Sequence, residues 1–214
     1  MSSQKVWNFW ASRYKRLWVQ RVSLEPTRTG VLALIKARYP EKHLGSYIDI
    51  GCGVGQLIED IESTFITSHS HGLDYSSGMI ALASQNGLKT QWYCEDIHTF
   101  EPERKMNLVV CTHSFPYYQD QKYVLHKIRK MLTHDGKLLM AFASKNSIYD
   151  ALCLGIVKLT TGKAHYPSVT AFIELASDDF KPITTTRIKE KWYMPSIYLF
   201  EMEPKHEKRT PGKA

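Results

Sequence analysis

The chain lacks any apolar run long enough to cross a bilayer: the longest, Ala151 to Leu159, stops far short of the roughly 20 residues that a spanning helix needs. Its N-terminal segment is charged and rich in tryptophan, without the uninterrupted apolar stretch of a secretory signal. A cytoplasmic protein with no membrane partner is the resulting expectation. Cysteine is scarce as well. Cys52, Cys94, Cys111 and Cys153 are widely spaced with no Cys-x-x-Cys pair, which argues against a disulfide framework or a zinc site. Three of them lie on or beside predicted strands, so buried free thiols and no metal site are expected. Acids are outnumbered, 21 against 28 lysines and arginines, yet the excess is not by itself a nucleic-acid footprint. Of the formal +7, the segment Lys205 to Ala214 holds +3, and from Pro204 it carries two prolines and a glycine, reading as a disordered, solvated tail over 204–214.

What is present fits one globular domain over 1–203. With 43% hydrophobic and 12% aromatic residues, 214 residues suffice to close a sizeable core. The glycines, 12 in all, are most telling in Tyr47-Ile48-Asp49-Ile50-Gly51-Cys52-Gly53-Val54-Gly55, where an apolar strand ends in an acid followed by alternating glycines. Without a Cβ the backbone can turn sharply and approach a ligand, and a helix starting at Gln56 would point its N-terminal amides at it. The dinucleotide pattern Gly-x-Gly-x-x-Gly is missed by one residue, and the acid before the first glycine is foreign to it.

This spacing resembles motif I of the class I S-adenosylmethionine-dependent methyltransferases. Three further segments are similar to that family in the expected order. His71-Gly72-Leu73-Asp74-Tyr75-Ser76-Ser77 ends a second strand at Asp74, with Ser76 or Ser77 placed to cap the next helix. Trp92 to Ile97 resembles the third-strand acid element. Asn107 to His113 resembles the fourth strand, followed by a helix over 120–132, a turn at Thr133 to Gly136 and a fifth strand over 137–142. The departures are Asn107, where the family often has Asp, and Ser177-Asp178-Asp179-Phe180 in place of Gly-Phe before the sixth strand.

The resemblance implies an α/β fold: a Rossmann-like, seven-stranded, mostly parallel sheet with helices on both faces and an antiparallel C-terminal hairpin. It further implies an N-terminal lid over 1–45, a cofactor-binding core over 46–143, a helical cover over 147–177 and the hairpin over 180–203. S-adenosylmethionine, with S-adenosylhomocysteine as product, would be held by Asp49, Gly51, Gly53, Gly55, Asp74, Tyr75, Asp96, Ile97, Thr112 and Tyr14. In that set Asp74 would accept from the ribose hydroxyls and Asp96 from the adenine amine, with the Ile97 amide donating to the ring and Tyr75 packing on it.

Trp7, Trp10, Tyr14 and Trp18 follow helical spacing, and the basic residues between them read as the solvated side of an amphipathic helix rather than a base-stacking surface. Trp10-Ala11-Ser12-Arg13-Tyr14 resembles the family's Trp-x-x-x-Ala-x-x-Tyr lid, with the Trp one residue before the Ala instead of four. A second cover begins at Ser147, with Asp150 three residues on, and ends at Thr161-Gly162. It is apolar nearly all round, so it is expected to bury against the core, the acceptor pocket or a second copy. A helix over 168–176 should lead to a strand over 183–193, a turn at Met194-Pro195 and an antiparallel partner over 196–203.

Catalysis points to the segment after the fourth strand, since ligands of open α/β sheets sit beyond the strands' carboxyl ends. His113 is a candidate base, or a neighbour of the methionine moiety without proton transfer, and Tyr117 could orient the acceptor. Ser114-Phe115-Pro116-Tyr117 is one proline short of the Asp/Asn/Ser-Pro-Pro-aromatic motif of amino-group methyltransferases, so a small-molecule acceptor is expected ahead of an RNA or DNA base. A non-catalytic cofactor-binding module is the alternative of another class. Either a monomer or a homodimer is compatible with these features.

Overall fold

The computed structural model describes residues 4–14, 18–189, 191 and 193–205. The expected tail lies, from residue 206 on, outside the described residues. Seven strands, β1 (His43–Ile50), β2 (Ile66–Asp74), β3 (Gln91–Cys94), β4 (Met106–Thr112), β5 (Leu132–Ala143), β6 (Phe180–Ile188) and β7 (Ile197–Pro204), form one sheet in the order β3-β2-β1-β4-β5-β7-β6. The first five pair in parallel, and β7 runs antiparallel between β5 and β6. The described helices are α1 (Gln4–Ala11), α2 (Glu25–Arg38), α3 (Gln56–Thr64), α4 (Ser77–Ala83), α5 (Gln121–Met131), α6 (Ile148–Thr161) and α7 (Val169–Ala176). None is long and apolar enough to cross a membrane.

Alternation along the central strands makes this a three-layer structure. Ile48 and Ile50 of β1 with Val109 and Cys111 of β4 join a core closed by Val124, Ile128 and Phe172 of α5 and α7. Tyr47 of β1 with Leu108 and Val110 of β4 face the other way, onto Val31 and Ile35 of α2 and Ile58 and Ile61 of α3. Apolar residues on both faces are what a parallel strand covered on two sides requires. Chain order reverses between β1 and β4, because β2 and β3 continue to one side and β5 to the other; the crevice beyond their carboxyl ends is the switch point where such sheets bind ligands.

Several boundaries shift. The stretch expected as a turn at Thr133 to Gly136 lies inside β5, where Met106 pairs with Leu132 and Leu108 with Lys137, so the ladder absorbs the extra residues as an irregularity. β6 runs over Phe180–Ile188 rather than 183–193, and Pro182 is tolerated because β6 is an edge strand. Asn107 has a packing role: its Oδ1 accepts from the Ser46 amide at 3.0 Å, beside Gly45, whose φ of 73° and lack of Cβ leave the side chain room. The thiols at Cys52 and Cys111 are buried, but Cys94 is exposed, because β3 is the short opposite edge of the sheet.

Phe115, Phe142, Phe172 and Phe200 form an aromatic cluster, with Phe172 5.4, 5.1 and 4.5 Å from the other three ring centroids. All four are fully buried, and Phe115 belongs to the loop after β4, so the core fixes that loop. Phe172→Ala should therefore lower unfolding free energy by about 3–5 kcal/mol. Urea denaturation checks this; a loss under about 1 kcal/mol would mean that the cluster is not tightly packed.

Candidate cofactor and acceptor site

The glycine loop lies at the switch point with Gly51, Gly53 and Gly55 at φ of 74°, 55° and 79°, a left-handed region that side chains disfavour. At Gly51 the reason is close approach: a Cβ would lie 2.4 Å from Ser114 Oγ, which donates to the Ile50 carbonyl at 3.0 Å and ties the end of β1 to the loop after β4. Gly53 differs, since a Cβ there would meet only Tyr14, at 3.7 Å. The space above Gly53 is thus bounded by the N-terminal segment and not filled by the core. Gly55 caps α3, whose first-turn amides follow the loop.

Two acids sit against this loop. Asp74, at the end of β2, accepts from the Gly53 amide through Oδ2 and the Ser76 amide through Oδ1, each at 2.8 Å. Its carboxyl is raised from the ordinary range by burial, which those two bonds oppose. The side chain therefore holds the loop as well as facing it, a role that the ribose expectation did not include. Asp49, on β1, is buried, and its Oδ1 finds no hydrogen-bond partner among the described residues. Burial, with Asp74 adding repulsion, raises its pKa to about 8. A buried acid with a bare oxygen beside an open cradle is what a cationic group would compensate.

The Trp-x-x-x-Ala-x-x-Tyr spacing is carried by a different tryptophan. Trp7, not Trp10, stands four residues before Ala11, and Trp7, Ala11 and Tyr14 share one side, where Ala11 packs with Val54 of the glycine loop and Met79 of α4. Phe9 and Trp18, by contrast, are exposed. α1 is pinned by polar bonds that sequence reading missed: Asn8 Oδ1 accepts from Ser76 Oγ at 2.6 Å and from the Gly78 amide at 3.0 Å, and Gln4 Nε2 donates to the Tyr75 carbonyl at 2.8 Å. Ser76 caps α4 as expected. Tyr14 is half-buried, its phenol raised by desolvation and then by Asp74. A relay fixes it: Asp60 to Arg28 at 2.8 Å, Arg28 to Gln20 at 3.3 Å, and Gln20 to the Tyr14 carbonyl at 3.0 Å. No local sequence signal links these four positions. A shallow cleft lined by Lys5, Val6, Phe9 and Trp10 opens elsewhere on α1, away from these groups.

Asp96 follows β3, beside the Asp74 strand. Its Oδ1 accepts from the His98 amide at 2.9 Å and lies 2.6 Å from His98 Nδ1, while Oδ2 carries none of the hydrogen bonds among the described residues. Ile97 is buried in the core, and Tyr75 is exposed beside the loop. Thr112 ends β4 opposite Ala141. His113 adopts φ of 61°, and its pKa is lowered to about 4, first by burial and then by Arg28. Thr27 Oγ1 donates to the Ser23 carbonyl at 2.7 Å, so at 3.0 Å it accepts from His113 Nε2–H. That leaves a neutral, weakly basic imidazole held by α2, a geometry suited to positioning more than to proton abstraction. Tyr117 OH lies 3.1 Å from Tyr166 OH, and its ring meets Trp7 edge-on at 5.1 Å. Among the described residues no group of three or more potential ligands is arranged to hold a metal.

Sheet order, switch-point glycine loop and the acids ending β1, β2 and β3 together define a class I methyltransferase architecture. Residues 48–138 match the family model of a methyltransferase domain. It is 29% identical over 113 residues to a malonyl-[acyl-carrier protein] O-methyltransferase of Bacillus cereus, an alignment covering 52% of this chain and 42% of that protein. It is 28% identical over 90 residues to a trans-aconitate 2-methyltransferase of Yersinia pseudotuberculosis, covering 42% of this chain and 35% of the relative. The chain thus spans about two fifths of the length of the first of these curated relatives. The fold is shared with the magnesium protoporphyrin IX methyltransferase of Synechocystis, solved with S-adenosylhomocysteine, at a TM-score of 0.71 and 18% identity over 92% of this chain and 97% of that one.

The Asp49 carboxyl gives a testable pH dependence. With its folded pKa raised from 3.8 to about 8, the folded state binds more protons than the unfolded state in that window, so stability falls as pH rises through it. Asp49→Asn removes this contribution. The stability of the variant relative to the parent should rise between about pH 4 and pH 8 and level off above, as followed by thermal unfolding. A pH-independent difference would show that the carboxyl is not desolvated.

Proposed function

We propose that this chain transfers a methyl group from S-adenosylmethionine to a small-molecule acceptor. The observation that carries the reading is the open cradle at Gly53, flanked by the unsatisfied Oδ1 of Asp49 and roofed by Tyr14. When bound, the cofactor supplies an electrophilic methyl on a positively charged sulfur. Asp49 compensates cationic charge, the amides of the glycine loop and α3 face the methionine end, and Asp74 accepts from the ribose at the end of β2. Asp96 Oδ2 accepts from adenine while Tyr75 covers its face. α1, held by Asn8 and Gln4, excludes water, which displacement at a sulfonium requires. His113 and Tyr117, with Trp7 and Tyr166, form the wall on which an acceptor is oriented; positioning suffices where the leaving group is this good.

Small acceptors appear in the names of the relatives, trans-aconitate and magnesium protoporphyrin IX among them. A nucleic-acid acceptor has less support, because Arg28, part of the N-terminal basic cluster, is committed to Asp60 and Gln20.

Calorimetric titration with S-adenosylmethionine tests the binding part. Asp74→Asn keeps one acceptor for the loop amides but loses charge assistance, and should weaken affinity about tenfold, on the order of 1 kcal/mol or more. Unchanged affinity would remove Asp74 from the ribose. A radiolabelled-methyl screen of small-molecule and RNA pools tests the transfer. Product from the small-molecule pool, insensitive to salt, is expected. Label in RNA that falls steeply with salt would reject the small acceptor, and binding without label in either pool would indicate a non-catalytic module.

A further inference from the structure

Within the chain, the core leaves most of the apolar surface of helix α6 uncovered. Its start is well built: Ser147 Oγ accepts from the Asp150 amide, and Asp150 Oδ1 accepts from Ser196 N at 3.1 Å, anchoring the helix to β7. Leu154 alone among its aliphatic residues is fully buried. Ile148, Leu152, Ile156 and Leu159 are 91, 65, 61 and 85% exposed, and a Cβ on Gly155 would meet nothing within 4 Å. At spacings of four, four and three these residues fall on one stripe of the helix. A monomer in water gains nothing from such a ridge, so the ridge points to a partner.

The rim of the ridge states the charge of that partner. Lys145 precedes the helix, Lys158 lies on it, and Lys163 follows it; Lys189 stacks over Tyr149 at 5.6 Å, and Lys191 is two residues further on. All five are exposed, and none takes part in the ion pairs among the described residues. Asp150, the acid within α6, is buried and spent on backbone amides. A second copy of the chain fits poorly, because a two-fold contact along the ridge would bring the same lysines together. An acyl phase fits better: a convex aliphatic ridge needs no matching groove in a fluid, and a lysine rim complements anionic headgroups.

α6 also lies at the working end of the sheet. Lys158 sits over the Tyr166 ring at 5.8 Å, Tyr166 meets Tyr117 at 3.1 Å, and Tyr117 meets Trp7 of the lid. We propose that α6 is an interfacial helix that seats the chain on an anionic lipid surface, with the Tyr117–Tyr166 wall beside that surface, so that the acceptor is a lipophilic molecule drawn from it. The acceptor clause rests on the methyltransferase reading; the docking clause does not. The expectation of no membrane partner came from span length, which excludes crossing a bilayer and not lying on one.

The test is co-sedimentation of the full chain with vesicles of phosphatidylcholine alone and of phosphatidylcholine with phosphatidylglycerol. Binding is expected to the anionic vesicles, weakened by salt. Leu152→Glu combined with Ile156→Glu, at exposed positions that leave the core intact, should reduce partitioning at least about tenfold with an unchanged melting temperature. Lys158→Gln combined with Lys163→Gln should remove most of the preference for anionic over neutral vesicles. Equal partitioning of parent and Glu variant, or none by the parent, would overturn the proposal, as would a dimer that the Glu variant dissociates or an acidic carrier protein bound in place of vesicles. Cofactor titration on the same preparation keeps the two readings apart, since lost docking with intact cofactor binding condemns α6 alone.

Discussion

The site depends on one electrostatic constraint: the carboxyls of Asp49, buried, and Asp74, partly buried, sit on neighbouring strands, and among the described residues only Asp74 has its oxygens satisfied. Asp74 has two backbone amides; Asp49 has a bare oxygen and a pKa near 8. Moving water away from such a pair costs free energy that hydrophobic packing elsewhere must offset. α1 does that desolvation, because Trp7, Ala11 and Tyr14 close over the loop while Asn8 and Gln4 fasten the helix to the turn after β2. The N-terminal helix and the acids are therefore coupled, and a cation entering beneath Tyr14 would relieve the cost.

The rest of the core holds this device in place. Ser114 fills the space that Gly51 leaves, Phe115 carries the same loop into the aromatic cluster, and Thr27 holds His113 in its left-handed conformation. Strain at His113 is tolerated because its backbone amide also donates to Ala141, on the neighbouring strand. The loop after β4 is thus fixed from the sheet, from α2 and from α7.

Much of this was legible in the sequence. Alternating glycines after an apolar strand announced the loop by local rules, and the seven-stranded, mostly parallel sheet followed from the resemblance that the loop and the three acids carry. What was not legible depends on contacts distant in sequence. The relay from Asp60 through Arg28 and Gln20 to Tyr14 joins three elements, and nothing near Arg28 distinguishes it from a surface arginine. Trp7 was passed over for Trp10 because the adjacent pair Trp10-Ala11 drew the pattern out of phase. For α6, composition correctly gave a helix and a cap, but whether an apolar helix is covered is a property of its neighbours, and here Leu154 alone of its aliphatic residues is buried against them.

Proton release on cofactor binding tests the central constraint most directly. Titration of the parent with S-adenosylmethionine in buffers of different ionisation enthalpy, near neutral pH, should show release approaching one proton, since Asp49 is protonated below about pH 8 and a cationic ligand favours its charged form. The release should vanish in Asp49→Asn. Tight binding with no proton released by the parent would contradict the claim that an unpaired acid waits beside the glycine loop.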